Sequence, residues 1–240
     1  MATSVTISIR RRNQTFNIAL GLAVLAIVFV GFFRTYYLNP YFAHRPLRLS
    51  LYLHGFVFSA WFVLLLVQII LVAIGRTDLH RRLGVLGFGL ASVMVPLGVY
   101  IGIHAAKYGS PATPPGVPPL VFLVVPLADM FVFGTLAGAG LLYRRNPQIH
   151  KRLMILSTLS ILSAAFGRMP FQFIQTYGLP AIFGLTGLTI LIFIAGDTIS
   201  HRRLNPATLW GGLFAILSLP LRVVIGGTAT WLAFAQWLTH

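Results

Sequence analysis

The sequence predicts an all-α polytopic transmembrane helical bundle, and two observations lead to that fold class. The 240 residues are 57% hydrophobic and only 9% charged, so polar side chains are too few to cover a water-soluble globule. The apolar residues are grouped into long runs, and about 20 such residues are enough for an α-helix to cross the hydrocarbon core of a bilayer. We therefore expect a single transmembrane domain over residues 1–240.

Seven apolar runs are long enough to span a membrane. The first follows three arginines like a signal peptide, but its apolar stretch is longer than usual for one, so we expect it to remain as an anchor. The last exceeds one span and contains Pro220, so we interpret it as one kinked helix, with two short segments as the alternative. The predicted spans are residues 15–38, 49–75, 82–106, 118–143, 151–174, 179–200 and 207–238.

The distribution of charge predicts the orientation of the chain. Eighteen basic residues accompany only three acids, but they lie in short clusters between apolar runs, where anionic lipid headgroups rather than nucleic acid are the expected partner. Loops rich in Lys and Arg stay in the cytoplasm. We therefore predict a multi-pass inner-membrane protein with its N-terminus inside and its C-terminus outside. The inner loops carry Arg10, Arg11, Arg12, Arg76, Arg81, Arg82, Arg144, Arg145, Lys151, Arg152, Arg202 and Arg203, and the outer loops Arg34, Arg45, Arg48 and Lys107.

A short motif recurs in the three predicted inner loops, as HRRLG from His80, HKRLM from His150 and HRRLN from His201. The first two belong to longer similar segments, GRTDLHRRLG and RRNPQIHKRLM, which join spans two and three and spans four and five. We infer that these two helical hairpins descend from a duplicated unit. For the histidines we favour bonds to neighbouring backbone over a shared metal site.

The segment from span two to span five resembles known families. In uncharacterised bacterial multi-pass membrane families, a His deep in one span is followed by an Arg-x-x-x-His-Arg-x-Leu-Gly loop, and here those residues are His54, Arg76, His80, Arg82, Leu83 and Gly84. The resemblance covers about residues 49–170. More distantly, the hairpins resemble those of membrane b-type cytochromes, in which intramembrane histidines hold haem. That resemblance implies a haem-binding role for His54.

Polar side chains inside the predicted spans form the candidate site. On span two, His54, Trp61 and Gln68 are seven residues apart, or almost two helical turns, and therefore share one face. Counting about 1.5 Å per residue from each membrane edge places Asp129 near the middle of the bilayer and four basic residues in its outer third. Such groups are costly in hydrocarbon and usually face the bundle interior. The four are His54, His104, Arg168 and Arg222.

Each of these residues has a functional and an ordinary interpretation. His54 could ligate haem iron, exchange protons with a quinone or simply hydrogen-bond a neighbouring span. Arg168 and Arg222 could bind haem propionates or another anion, pair with Asp129, or extend to the headgroups. Trp61 and Gln68 suit helix packing, and His104 suits an interfacial position. At the inner end of span six, Asp197 and His201 are four residues apart and can pair.

Three functions remain open on the sequence. The first is electron transfer by a haem b or quinone bound in the outer half of the bundle. The second is a small-solute or ion transporter or channel, with Asp129 and Arg168 as coupling elements. The third is a non-catalytic subunit of a larger membrane complex; a homo-oligomer is also compatible with the sequence. Both lysines lie at helix ends, which excludes a retinal Schiff base, and no known catalytic motif identifies the chain as an enzyme.

Overall fold

A computed structural model describes residues 2–42, 46–110 and 113–240, with side chains from residue 13 onward. The described residues form helices and no strands, which confirms the all-α prediction. Of the residues used to predict orientation, Arg45 and the side chains of Arg10, Arg11 and Arg12 lie outside this description. The helices are α1 (Ala2–Phe32), continued by a π-helical turn (Phe33–Tyr37), α2 (Asn39–Phe42), α3 (Leu49–Ala73), α4 (Thr77–Tyr108), α5 (Pro119–Phe122), α6 (Val124–Leu142), α7 (Pro147–Ser160), α8 (Ser163–Phe166), α9 (Gln172–Tyr177), α10 (Leu179–His201), α11 (Pro206–Gly226) and α12 (Ala229–Thr239).

In the part of the chain that the structure describes, seven helical segments are long and apolar enough to cross a membrane, which confirms the prediction of a multi-pass membrane protein with seven candidate spans. Spans four and five each combine two helices, α5 with α6 and α7 with α8. The spans are Asn13–Tyr37, Leu49–Ala73, Thr77–Tyr108, Pro119–Leu142, Pro147–Phe166, Leu179–His201 and Pro206–Gly226.

Contacts near the ends of the helices define the two ends of the bundle. Asn13 Nδ2 lies 3.2 Å from His201 Nε2, so span one begins where span six ends. We call this the N-terminal end. At the opposite end, Lys107 Nζ donates to the backbone oxygen of His240 at 2.9 Å, and Trp231 Nε1 donates to the carbonyl of Leu120 at 2.9 Å. This C-terminal end therefore carries α12 together with the loop between spans three and four.

The dipeptide Asn-Pro sets the start of two spans at the N-terminal end. Asn146 Oδ1 accepts from the backbone N–H groups of Gln148 and Ile149, at 3.1 and 3.3 Å. Asn205 Oδ1 accepts from Ala207 N at 2.9 Å. In both cases the Asn is the N-cap and the following Pro takes the first helical position, where its fixed φ suits the helix and its missing N–H costs nothing.

Span five lies at the centre of the bundle and is the most buried of the seven. It contacts α1, α6, α10 and α11. Its small hydroxyl residues are satisfied locally, since Ser157 and Thr158 both donate to the carbonyl of Met154 and Ser160 donates to that of Ser157. Short side chains of this kind allow neighbouring helices to approach closely.

The structure interrupts span five, which the sequence predicts as one helix over 151–174. The helix α7 ends at Ser160, turns replace it at Ile161 and Leu162, and α8 lasts a single turn. A second irregular stretch over 167–171 precedes α9. Pro170 contributes to this second break, because proline lacks the N–H that a helix needs and disfavours helical backbone in the residue before it.

The structure also divides the predicted 207–238 span. We predicted one proline-kinked helix over the whole segment, and this is wrong. Helix α11 continues past Pro220 but ends at Gly226, and a separate helix follows. Thr228 is the N-cap of α12, and its hydroxyl accepts from Trp231 N at 3.2 Å. The 11 residues of α12 measure about 16 Å, which is too short to cross a bilayer. A Cβ on Gly226 would lie 2.9 Å from the carbonyl oxygen of Val121, so the glycine allows α11 to approach α5.

Candidate functional site

Several of the residues singled out in the sequence meet around one buried carboxylate, that of Asp129 on α6. Arg222 on α11 donates from Nη1 to Asp129 Oδ1 at 2.6 Å, and Ser163 on α8 donates from Oγ to Oδ2 at 2.8 Å. Asp129 is only 5% exposed and Arg222 only 1%. We call Asp129, Ser163, Arg222 and the nearby Arg168 the Asp129 cluster. A buried charge is tolerated only with such partners, so the pair holds α6, α8 and α11 together.

Arg222 makes further contacts within the same region. Its Nη2 lies 3.3 Å from Ser218 Oγ, one turn earlier on α11. The centre of its guanidinium lies 5.7 Å from the ring centre of Phe183 on α10. The planar guanidinium thus joins an ion pair on one helix to an aromatic ring on another, which are the two modes of contact that Arg favours over Lys.

Arg168 lies in the irregular segment after α8. It donates from Nη1 to the carbonyl of Ala164 at 2.7 Å, and its guanidinium lies 4.9 Å from the ring centre of Phe32 on α1. Its guanidinium lies close enough to Asp129 and to the His54 ring to act on both electrostatically. The ion pair expected from the sequence is therefore made by Arg222, while Arg168 adds a second positive charge. With His54 counted as neutral, two guanidinium groups and one carboxylate give the cluster a net charge of +1.

The three residues that share one face of α3 have different partners. The His54 ring packs 4.1 Å from the Phe58 ring, and its buried Nδ1 has no hydrogen-bond partner among the described residues. Trp61 Nε1 donates to Thr158 Oγ1 on α7 at 3.1 Å. Gln68 Nε2 donates to the carbonyl of His80 at 3.2 Å. Of these three side chains, His54 and Gln68 each keep a buried polar atom without a partner among the described residues, Nδ1 and Oε1, and only that of His54 lies close to Arg168 of the Asp129 cluster.

His104 lies apart from this cluster. Its Nε2 is 3.0 Å from Nη1 of Arg48, and its ring is 4.6 Å from that of Tyr108. These partners are exposed at the C-terminal end, which suits the interfacial interpretation. Among the described residues, no group of three or more His or acidic side chains is arranged to hold a metal ion.

A second buried ion pair, nearer the N-terminal end, contains an arginine that the sequence analysis had assigned to a loop. Asp197 Oδ2 accepts from Arg152 Nε and from Thr208 Oγ1, both at 2.7 Å, and Asp197 Oδ1 lies 3.2 Å from His201 Nδ1. Arg152 is only 1% exposed, and its Nη1 also donates to Gln148 at both the carbonyl and the side-chain oxygen. We call Asp197, Arg152, Thr208 and His201 the Asp197 cluster.

One signal in the sequence could have identified Arg152. The residues Arg152, Leu156, Leu159 and Ser163 recur at intervals of three or four and therefore share one helix face. The other three all point into the bundle, and Leu156 and Leu159 are fully buried. A basic residue that continues the buried face of a helix belongs to that face and not to the loop.

The two clusters use the same two spans. Span five supplies Arg152 and Ser163, while α11 supplies Thr208 and Arg222, which are roughly 21 Å apart along that helix. Each carboxylate accepts one bond from a guanidinium and one from a hydroxyl. Fully buried apolar residues lie along the helices between the clusters, among them Leu156, Leu159, Ile190 and Ala215.

No protein-family model matches the chain, and neither a curated protein nor a solved structure matches it.

Proposed function

We propose that this membrane protein moves a small polar or ionic solute across the bilayer, through the bundle of spans four to seven. The interruption of span five beside the Asp129 cluster carries the proposal. Turns replace the α-helix at Ile161 and Leu162, immediately before Ser163 donates to Asp129. Irregular backbone at membrane depth is tolerated only where protein encloses it or a cavity faces it. Discontinuous helices of this kind form the solute sites of many secondary transporters.

The arrangement of the two ion pairs supports the same proposal. The Asp197 and Asp129 clusters lie towards opposite ends of one four-span core, and an apolar layer separates them. In the proposed cycle, one pair stays closed while the other opens, so that the solute never meets a continuous aqueous channel. Spans five and seven contribute to both clusters and would couple the two events.

A swelling assay tests the proposal. Proteoliposomes containing the full chain are exposed to iso-osmotic glycerol, or to potassium chloride or potassium nitrate with valinomycin, and light scattering is followed. We expect the wild type to swell faster than protein-free liposomes with at least one probe, and Asp129→Asn to lose this difference. Asp78→Asn is the matched control, because its partner Arg76 is exposed and both lie outside the clusters. Swelling equal to protein-free liposomes with every probe would refute the proposal.

A redox role with haem b or a quinone is a second candidate function, favoured by the unused Nδ1 of His54. A free imidazole nitrogen can ligate haem iron or bond a quinone carbonyl. Arg168 lies close enough to act on it electrostatically and would bind a propionate. His104 contacts Arg48 instead, so His54 would be the sole histidine ligand of a haem.

An absorption spectrum of the detergent-purified protein tests the redox candidate. A Soret band, or a quinone in the organic extract, is expected from the wild type and from His104→Ala but not from His54→Ala. A wild-type sample with neither band nor quinone argues against it.

The proposed orientation places the N-terminal end of the bundle in the cytoplasm. Most of the described basic residues at that end, Arg152 and Lys151 excepted, are exposed where anionic headgroups of an inner membrane would meet them, as Arg81, Arg144 and Arg203 illustrate. The repeated motif supports the proposed duplication of the hairpins, and its two inner histidines lie close together. His80 and His150 occupy corresponding positions, and their ring centres are 6.2 Å apart.

A further inference from the structure

We propose that a small monovalent anion, of the size of chloride or nitrate, binds beside Arg222 in a cavity near the C-terminal end of the bundle. This inference names the solute class for the transport proposed above and rests on that proposal. Three features of the site support it, namely an unused donor, a cavity and an unbalanced charge.

The unused donor belongs to the buried guanidinium of Arg222. Its Nη1 donates to Asp129 and its Nη2 contacts Ser218, but its Nε is buried with no hydrogen-bond partner among the described residues. A buried N–H without a partner is costly, and more so on a charged group. This N–H is therefore free to donate one hydrogen bond, although neighbouring side chains cover it almost completely, so a ligand in the adjoining cavity reaches it only when they shift slightly.

The cavity lies against the same side chain. Its volume is about 50 Å³, and apart from Arg222 its walls are apolar. That volume is enough for about three waters, but each buried water needs two to four polar partners, which these walls do not offer. A small anion gains the Coulombic attraction of the buried guanidinium in addition to a hydrogen bond, and a neutral water lacks that attraction. The apolar lining residues are Val117, Val121, Phe122, Val124, Val125, Leu179 and Val223.

The charge balance favours an anion over neutral solutes. Asp129 accepts from Arg222 and Ser163, while Arg168 contributes its own charge nearby. The cluster thus carries a net charge of +1, and one monovalent anion makes it neutral. Uncompensated charge is expensive in a low-dielectric interior. A divalent anion would reverse the imbalance, and sulfate or phosphate would also be large for the cavity.

Thermal unfolding of the detergent-purified full chain tests the site. The unfolding temperature is measured in sodium chloride, sodium nitrate and sodium gluconate at equal sodium concentration and ionic strength. Chloride and nitrate should raise it by about 4 °C at ten times the dissociation constant, relative to gluconate, which is too large to enter. The variant Val121→Phe fills the cavity without removing a charged group, and it should lose this shift. Val63→Phe, at an exposed position on α3, is the matched control and should keep it.

Each outcome bears on a separate claim. Equal unfolding temperatures in chloride and gluconate would overturn the anion site and leave the cavity to water or empty space. A shift that persists in Val121→Phe would also overturn it, because the anion would then bind elsewhere or act through the solvent. A shift without flux of glycerol, chloride or nitrate in proteoliposomes would support the site and refute the transport proposal. Glycerol flux without a shift of the unfolding temperature would support the transport proposal and overturn the anion site.

Discussion

Arg222 Nη1 lies 2.6 Å from Asp129 Oδ1, although 93 residues separate the two along the chain and both side chains are buried. This contact fixes span seven against span four, and the bond from Ser163 adds span five. Three helices therefore depend on one carboxylate. Removing one partner would leave the other as a lone charge in a medium that solvates it poorly.

Loss of Arg222 should strongly destabilise the protein. We expect Arg222→Gln to lower the free energy of unfolding by about 3–5 kcal/mol, because Asp129 is left buried without its ionic partner. The double variant Asp129→Asn/Arg222→Gln should lose less than the sum of the single variants, since it leaves no such unpaired charge. Thermal unfolding in detergent measures both effects.

Arg76→Gln is the control for this prediction. Arg76 pairs with Asp78 at 3.2 Å on the surface, and exposed pairs contribute little because water screens them. The unfolding temperature of the Arg76→Gln variant should match that of the wild type. If Arg222→Gln proves as stable as Arg76→Gln, the Asp129 pair does not hold the bundle together.

Thr208 should contribute a measurable bond to the second carboxylate. We expect Thr208→Val to lower the free energy of unfolding by about 1–2 kcal/mol, because Asp197 loses a bond of 2.7 Å that water cannot replace. Thr189→Val is the matched control, since its hydroxyl bonds the carbonyl of Leu185 within its own helix. Equal unfolding temperatures for the two variants would contradict the role assigned to Thr208.

Gly31 allows span one to approach span five. A Cβ at this position would collide with the backbone carbonyl of Ala165, which cannot rotate away as a side chain can. We expect Gly31→Ala to lower the free energy of unfolding by about 1–3 kcal/mol. Gly84→Ala meets no neighbouring atom and should be neutral or stabilising by up to about 1 kcal/mol, because Ala favours the helix. The two unfolding temperatures, compared in the same detergent, decide whether this contact exists.

The absence of cysteine from the chain makes the orientation directly testable. We expect Tyr108→Cys, at the C-terminal end, to react with a membrane-impermeant maleimide on intact cells. Tyr143→Cys, at the opposite end of span four, should react only after permeabilisation. Both tyrosines are more than half exposed, so accessibility to the reagent is matched. The reverse labelling pattern would invert the proposed orientation.

Local sequence features were enough to predict the number of candidate spans and most of their bounds, but not the breaks in the predicted spans 151–174 and 207–238. Span six was expected at residues 179–200 and the structure has Leu179–His201, because the apolar run and the polar residues at its ends are consecutive in the chain. Asp197 and His201 were likewise expected to pair because four residues separate them on one helix. The spacing of residues along a helix and the hydropathy of a run are local properties, so they can be found in the sequence without any knowledge of neighbouring helices.

The partners of the buried charges could be found only in the tertiary structure. Either Arg168 or Arg222 could have paired with Asp129, and packing of α11 against α6 selects Arg222. Arg152 looked like a loop charge, yet it is buried against Asp197, 45 residues away. The sequence by itself determined that rare charges inside apolar spans must find partners, since hydrocarbon solvates none of them. Which residues meet depends on how the helices rotate and stack, and only the folded bundle decides that.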